Sequence, residues 1–489
     1  MDHKYASSDE WIHIPAVRTR KRGPWSLWAV LLPLVTATVL LLCCNDPGSG
    51  HFTAPETQVV RKYNMTVGVR WLNLDGGRWR PVFVCNVWTA PSLSRPRPYS
   101  LITDSAVDLR PIQEAEDEIQ YATLWNSDFR TADWKIQKMK AKGTGLSCYK
   151  SILVNAKGRV FCKSPEYSTI DGNALDDAGC VVRPGVESDA CEPSLADFTI
   201  FETRGKEFMM LNVGFEHALR WSIDDHRFWV VANDGGFIKP QLVDAKRYPI
   251  SGEAMALPYT NSNTKVCLNP DGSVPEGCDE YHEDSARPFP AQVPARQSDK
   301  TLLWTAGSQK SKYEQHVTEY YVNDKPWQLY RAAMEPVYFT KDATAMAKPI
   351  QTGLPYGTVI DLIVQNTLNE TIPFYKHGNP TFRLGSRDFE KFEWKSIQAA
   401  VEHHADVNLH SPPLAIVHDL PPLGWLAIRW KVELTGATMF HAVKLRYFAL
   451  GMAAPMLEGF EVSMRDSVSR YAKHQPHVLF ESGNDGGFG

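Results

Sequence analysis

Short segments of alternating apolar and polar residues, each bounded by a turn signal, limit the fold of this chain most strongly. Residues 59–69 read VVRKYNMTVGV, a turn signal NLDGG follows at 73–77, and residues 80–87 read RPVFVCNV. Such alternation places one face of a strand on a core and the other in solvent. A helical repeat is found only around 388–404. The pattern therefore predicts an all-β chain.

Turn-rich spacing divides the chain into consecutive blocks. Many short strands separated by Gly, Asn and Asp turns are typical of β-sandwiches. We predict three consecutive β-sandwich domains, the first of them ending in a polar, irregular stretch at 89–145. The expected boundaries are 59–145 for the first domain, 146–267 for the second, 268–312 for a connecting segment, 313–465 for the third domain and 466–489 for a flexible tail.

An uncharged stretch of 20 residues at 25–44 precedes these blocks. At 1.5 Å per residue, a helix of this length crosses a hydrocarbon core of about 30 Å. Four basic residues lie just before it, within 18–22, and a positive flank stays in the cytoplasm. We expect residues 1–24 to be a cytoplasmic leader and 25–44 a transmembrane signal-anchor of type II, with the bulk of the chain lumenal or extracellular. Secretion after signal cleavage is the alternative.

Composition and motifs exclude several classes of function. Lys and Arg number 52 against 56 Asp and Glu, so the net charge of -4 does not indicate a nucleic-acid partner. The sequence contains no Gly-x-Ser-x-Gly elbow, no phosphate-binding Gly-rich loop, no His-Glu-x-x-His and no dinucleotide fingerprint. These absences argue against a conventional hydrolase or kinase.

The cysteines predict disulfides, because no Cys-x-x-Cys occurs and the bulk of the chain is expected outside the cytoplasm. Cys267 and Cys278 flank a short Asn-Pro-Asp-Gly loop and should pair with each other. Two triplets, beginning at Asn64 and Asn369, are candidate glycosylation sites. Two further bridges of open connectivity are expected among Cys148, Cys162, Cys180 and Cys191.

Five segments in a fixed order resemble a known family. They read RKYNMTVGVRWLNLDGGRWRPVFVCNV, YKSILVNAKGR, LRWSIDDHRFWVVANDGGFIKPQLVD, GTVIDLIVQN and PPLGWLAIRWKVELTGATMFHAVKLRYFALGM. Their order and spacing, from about 61 to 459, are similar to those of the three-domain multicopper oxidases of the laccase and ascorbate-oxidase type. The resemblance implies that each predicted sandwich is cupredoxin-like.

The resemblance also implies copper sites, but most of their ligands are missing from this chain. Members of the family hold a mononuclear copper with one Cys and two His, and a three-copper cluster with pairs of His. No histidine occurs between His51 and His217, so the first domain supplies none of its cluster ligands. The family motif His-Pro-x-His-x-His-Gly reads IPFYKHG at 372–378 and keeps only His377.

A second family motif, Phe-His-Cys-His-x-x-x-His-x-x-x-x-Met, is similarly reduced. It keeps His441 and Met452, whereas its Cys becomes Ala442 and its other two His become Val443 and Tyr447. Copper requires soft or imidazole ligands, which these replacements do not provide. We expect a degenerate family member with no copper cofactor and no oxidase activity.

The positions of the lost ligands define a candidate site. His377, His441, Tyr375 and Tyr447 are predicted to line a recycled pocket as hydrogen-bond donors or general acids and bases. The alternative is that the two histidines are ordinary core residues with satisfied hydrogen bonds. A further polar segment, which we interpret as solvated surface rather than as a metal site, contains His403, His404, Asp406 and His410.

Two classes of function follow from this reasoning. The first is a redox-neutral enzyme or auxiliary factor of secondary-metabolite biosynthesis, which binds a small aromatic or polyketide-derived intermediate and guides its cyclisation or coupling. The second is a non-catalytic, membrane-anchored binding or scaffold protein that pairs with an active partner oxidase. A residual copper-dependent oxidase is a further alternative.

Overall fold

The computed structural model describes most of the chain from residue 110 to 462 and two earlier strands. Within these residues no helix is both long and apolar enough to span a bilayer. The predicted leader, the span at 25–44 and the tail at 466–489 lie outside the described residues. The described residues are 64–72, 80–88, 110–115, 119–127, 132–142, 149, 151–160, 169–170, 173–174, 193–195, 197, 199–201, 207–214, 219–234, 236–248, 265–269, 273–312, 314, 316–327 and 349–462.

The predicted first strand pair is present. Strand β1, Asn64–Leu72, pairs antiparallel with β2, Arg80–Trp88, in a continuous register that joins Asn64 to Trp88 and Leu72 to Arg80. The hairpin belongs to one compact unit, residues 1–72 with 80–95. The second unit comprises residues 73–79 and 96–489.

An irregular stretch was expected at 89–145, but its described part, which lies in the second unit, contains regular elements. It contains two helices, α1 (Arg110–Ala115) and α2 (Ala132–Lys142), and the strand β3, Ile119–Ser127. Burial alternates along β3, since Ala122 and Leu124 are buried whereas Tyr121 is exposed. The acidic residues just before this strand conceal a regular period-2 pattern, and this is why the prediction was wrong.

Among the described residues, ten further short strands follow up to residue 281, and they form the second block. They are β4 (Ser151–Val154), β5 (Lys157–Gly158), β6 (Thr169–Ile170), β7 (Asn173–Ala174), β8 (Glu207–Asn212), β9 (Leu219–Ser222), β10 (Phe228–Asn233), β11 (Gly236–Val243), β12 (Ala245–Tyr248) and β13 (Glu280–Tyr281). They form a sheet in the order β5-β4-β3-β8, a sheet in the order β13-β12-β9, and the hairpins β6-β7 and β10-β11. Cys267 and Cys278 form the predicted disulfide. The other four candidate cysteines lie outside the described residues.

The third block, whose strands run from residue 300 to residue 458, is a sandwich of two sheets. Its strands are β14 (Lys300–Lys310), β15 (Thr318–Val322), β16 (Gln351–Leu354), β17 (Val359–Asn366), β18 (Ile372–Lys376), β19 (Thr381–Arg387), β20 (Leu414–Ala415), β21 (Val417–Leu420), β22 (Trp425–Lys431), β23 (Gly436–Ala442) and β24 (Ala453–Glu458). One sheet has the order β15-β14-β17-β22-β19-β20 and the other β16-β24-β23-β18-β21. Residues 300–310, expected in the connecting segment, form β14, which pairs in parallel with β17.

Apolar runs in the central strands explain this arrangement. Strand β17 is buried on both faces: Ile360 and Leu362 face the core between the sheets, and Ile363 faces a second apolar cluster. Helix α3, Ile397–Glu402, contributes Ile397 to that second cluster. The side chain of Ser396 caps this helix by accepting a hydrogen bond from the Ala399 amide, so the helix is shorter than the 388–404 pattern suggested. A remaining helix, α4, spans Leu445–Ala449.

Candidate functional site

Two neighbouring strands of the five-stranded sheet bring three of the predicted residues together. Tyr375 on β18 lies directly opposite His441 on β23 in the antiparallel register. Successive side chains of a strand point to opposite faces. Phe374 and Phe440 therefore stack in the core, with ring centroids 4.6 Å apart, and Tyr375 and His441 share the other face. His377 follows β18, and its ring centroid lies 4.5 Å from that of Tyr375.

The two histidines contact each other directly. Nε2 of His441 lies 2.9 Å from Nε2 of His377, and Nδ1 of His441 lies 2.8 Å from the carbonyl oxygen of Ala442. A carbonyl only accepts, so Nδ1 of neutral His441 carries the proton and its Nε2 accepts from His377. His377 then donates through Nε2, and its Nδ1 holds the lone pair. We assign both tautomers from this hydrogen-bond network.

The surroundings keep both imidazoles neutral. Burial lowers the pKa of His441 to about 4. Partial desolvation lowers the pKa of His377, and the Lys376 charge lowers it further. Phe448 covers the His441 ring at a centroid distance of 4.7 Å, whereas the side chain of His377 is exposed. The pair therefore presents one accessible basic nitrogen, Nδ1 of His377.

A fully buried ion pair lies on the opposite face of the strand, beneath this pair of histidines. Nζ of Lys376 lies 2.6 Å from Oε2 of Glu458, and neither side chain is exposed. Nζ also donates to the carbonyl oxygen of His377 at 2.7 Å. Glu458 accepts a hydrogen bond from Nε1 of Trp430 at 2.7 Å and another from the hydroxyl of Thr438. Burial lowers the pKa of Lys376, and its carboxylate partner opposes that effect.

Tyr447 takes part in a different cluster. Its ring is buried, and its hydroxyl donates to Oε1 of Glu370. Glu370 also accepts hydrogen bonds from Lys444 at 2.7 Å and from Arg446 at 2.7 and 2.5 Å. The ring of Tyr320 contacts the Tyr447 ring edge-on at a centroid distance of 4.6 Å. The Tyr447 hydroxyl is thus bound to a carboxylate that belongs to no sequence motif.

The structure also describes the two candidate glycosylation sites and the polar segment that contains three histidines. Asn369 is exposed, and Asn64 is the first residue of β1. Among the described residues, only Asp244, Cys267 and Cys278 place three potential metal ligands within 4.8 Å of one another, and the two cysteines are consumed by their disulfide. His403, His404, Asp406 and His410 do not gather in this way.

Comparison with known proteins identifies what the chain is similar to. The multicopper oxidase family matches residues 312–461. A laccase of Pestalotiopsis fici is 26% identical over 79% of this chain and 75% of its own length. The laccase abr2 of Aspergillus fumigatus is 26% identical over 81% of this chain and 79% of its own length.

Solved structures show the same fold. Fet3p, a multicopper oxidase that functions in iron import, superposes with a TM-score of 0.53 at 13% identity, covering 83% of this chain and 91% of its own. The laccase of Botrytis aclada superposes with a TM-score of 0.50 at 18% identity, covering 74% of this chain and 70% of its own. The mostly β architecture described above is therefore the cupredoxin-like fold of these oxidases.

Proposed function

We propose that this chain, which belongs to the multicopper oxidase family as a laccase-like member, works without a copper centre as a redox-neutral enzyme or auxiliary factor of secondary-metabolite biosynthesis. The observation that carries the proposal is the His377–His441 pair, whose hydrogen bonds leave one accessible basic nitrogen. Fungal laccases and multicopper oxidases among the relatives, including elcG of Phaeosphaeria nodorum at 22% identity over 75% of this chain, support the family context.

The residues at the family's mononuclear position do not fit copper. The thiolate ligand is replaced by Ala442, whose buried methyl group has no lone pair to donate. The hydroxyl of Tyr447 is bound to Glu370, and the cations Lys444 and Arg446 lie beside that carboxylate. Positive charges near a metal position oppose the binding of another cation. These contacts support a protein that lacks the mononuclear centre.

The histidine pair is suited to moving a proton. Nδ1 of His377 takes a proton from an acidic carbon or hydroxyl of the bound intermediate, and the same proton returns to another atom of that molecule. His377 is then positively charged, and the hydrogen bond from its Nε2–H to Nε2 of His441 stabilises that charge. No electron leaves the substrate, so a cyclisation or isomerisation of this kind requires no oxidant. Tyr375 forms an aromatic wall against which a planar substrate can pack.

Metal analysis provides the first test. The full chain, purified from copper-supplemented cells, should contain well under one copper per chain and show no blue absorption. Stoichiometric copper would contradict the proposal and restore the oxidase alternative.

Replacement of His377 provides the second test. His377→Gln, expressed from the native locus in the host, should lower formation of the end product by roughly 100-fold or more, because a positioned base contributes about 10²–10⁴ in rate. His410→Gln is the matched control, since His410 is an exposed histidine outside the site. Both variants should accumulate to wild-type protein levels. Undiminished product from His377→Gln would favour the scaffold function instead.

A further inference from the structure

Ionisable side chains of the second block, which ends near residue 285, interact electrostatically with side chains of the third block, the sandwich that begins at residue 300. Asp234 lies in the turn between β10 and β11, Glu283 in a 3-10 turn that spans Glu283–Ser285, and Asp419 on β21. Lys246 on β12 and Arg383 on β19 are the cations of the cluster. Electrostatic interactions couple Glu283 to all four of the others.

Hydrogen bonds and an ion pair join the two blocks at this point. Oδ2 of Asp234 accepts from the Val417 amide at 3.2 Å, across 183 residues of chain. On the other side, Arg383 lies 2.8 Å from the carboxylate of Asp284, whose side chain is largely exposed. Lys246 remains within the second block, where it donates to the side-chain oxygen of Asn233 at 3.0 Å.

The charges of the cluster do not balance when every group is ionised. Asp234, Glu283 and Asp419 then carry three negative charges, and Lys246 and Arg383 carry two positive ones. The exposed Asp284 adds a further negative charge at the rim. A single proton on Asp234, Glu283 or Asp419 balances these three carboxylates against the two cations, and the charge of Asp284 remains at the exposed rim.

We propose that this contact is a proton-dependent joint: it is tight while Glu283 carries a proton and loosens when Asp234, Glu283 and Asp419 are all ionised. Repulsion among the three carboxylates then opposes the contact that the Asp234–Val417 hydrogen bond and the Arg383–Asp284 ion pair maintain. The proposal does not depend on any catalytic activity of the chain.

The expected pH range follows from the environment of the groups. Burial and the neighbouring Asp419 and Asp234 raise the pKa of Glu283 to about 8, and burial raises the pKa of Asp234. A carboxyl with a raised folded-state pKa stabilises the fold at low pH and loses that contribution as pH rises to about 8. Burial lowers the pKa of Lys246 to about 8, so its contribution to stability returns only above that pH.

Another titratable group near this contact, His418, is neutral in the folded chain throughout this range. Burial, followed by the charge of Arg383, lowers its pKa to about 3. Its Nε2 lies 2.7 Å from the hydroxyl of Thr381. Stability of the joint should therefore pass through a minimum near pH 8, determined by Glu283 and Lys246.

The joint lies next to the candidate site. Val417, whose amide binds Asp234, is paired with Tyr375 in the register of β21 and β18. The amide of Lys376 donates to the carbonyl oxygen of Ile416 at 2.9 Å in the same segment. Loosening of the joint would thus release the strand that borders the strand carrying Tyr375.

Thermal unfolding of the purified full chain between pH 7 and pH 8, where histidines are neutral in the unfolded chain as well, tests the joint. The wild-type melting temperature should fall with rising pH, and Glu283→Gln, which imitates the protonated carboxyl, should flatten that fall by at least about half. Glu276→Gln is the matched control, because Glu276 is an exposed carboxylate of the same region. Equal slopes in Glu283→Gln and Glu276→Gln would overturn the proposal.

Hydrogen exchange gives a local measurement of the same effect. At pH 8, the peptide covering 414–419 should exchange several-fold faster in the wild type than in Glu283→Gln, whereas at pH 5.5 the two should agree. Comparison at equal pH removes the intrinsic pH dependence of exchange. If Glu283→Gln is not recovered folded, Asp234→Asn replaces it with the same expectation, because its amide oxygen still accepts from Val417. Identical exchange at pH 8 would overturn the proposal.

Discussion

Removal of one partner of the buried Lys376–Glu458 pair should destabilise the third block severely. Both side chains are fully buried, and the Nζ–Oε2 distance is 2.6 Å. Lys376→Met leaves the carboxylate of Glu458 in the core with only the Trp430 and Thr438 donors. An uncompensated buried charge of this kind costs about 3–5 kcal/mol of unfolding free energy.

Glu458→Gln should cost less than Lys376→Met. The burial that lowers the pKa of Lys376 also allows its amine to lose a proton, so the orphaned lysine can become neutral. The double variant Lys376→Met/Glu458→Gln removes both charges and keeps an oxygen for the indole of Trp430. We expect the double variant to cost only about 1–2 kcal/mol, far below the sum of the single changes.

Equilibrium urea unfolding followed by circular dichroism measures these free energies. The matched control is Lys431→Met, because Lys431 and Glu433 form an exposed pair with Nζ and Oε1 3.5 Å apart. Exposed pairs contribute less than about 1 kcal/mol. If Lys376→Met costs no more than Lys431→Met, or if the single costs are additive, the reasoning about a buried charge pair is wrong.

Three other outcomes test further parts of the argument. Because burial lowers the folded-state pKa of His441 to about 4, this residue should decrease stability by up to about 3 kcal/mol as pH falls from 6.5 through 4, and His441→Gln should make the pH dependence shallower; parallel curves would contradict it. Asn369→Gln should decrease the mass by one glycan, whereas an unchanged glycan content would refute modification at this exposed residue. Protease added to intact microsomes should trim only residues 1–24, and cleavage after 25–44 would disprove the anchor.

Local patterns predict the fold of this chain well where the strands are buried in a regular way. The segment GTVIDLIVQN contains β17, a central strand whose apolar run faces two clusters, and the Asn-Pro-Asp-Gly loop is closed by the Cys267–Cys278 bond. Strand β3 was missed because its alternation follows an acidic stretch. Strand β14 was missed because it follows a segment rich in Pro, Ser and Asp. In both cases pairing with a distant strand, β8 or β17, determines the structure, and no local window contains that partner.

The candidate site, like the fold, could be predicted only where local motifs indicate its residues. Tyr375, His377 and His441 could be selected because they occupy motif positions, and the register of β18 and β23 then brings them together. Glu370 and Glu458 belong to no motif, and they enter the structure only as long-range partners of Tyr447 and Lys376.

Glu370 and Glu458 connect segments around the site that are distant in the chain. A metal ion and its ligands form a charged cluster that cross-links distant parts of a fold, and loss of the ion removes that cross-link. In this chain, Glu370 joins the loop after β17 to Tyr447 in helix α4, and Glu458 joins β24 to Lys376 on β18. Each contact connects segments more than 70 residues apart through charge-assisted hydrogen bonds. Both contacts therefore cross-link distant segments of the sandwich through protein side chains alone.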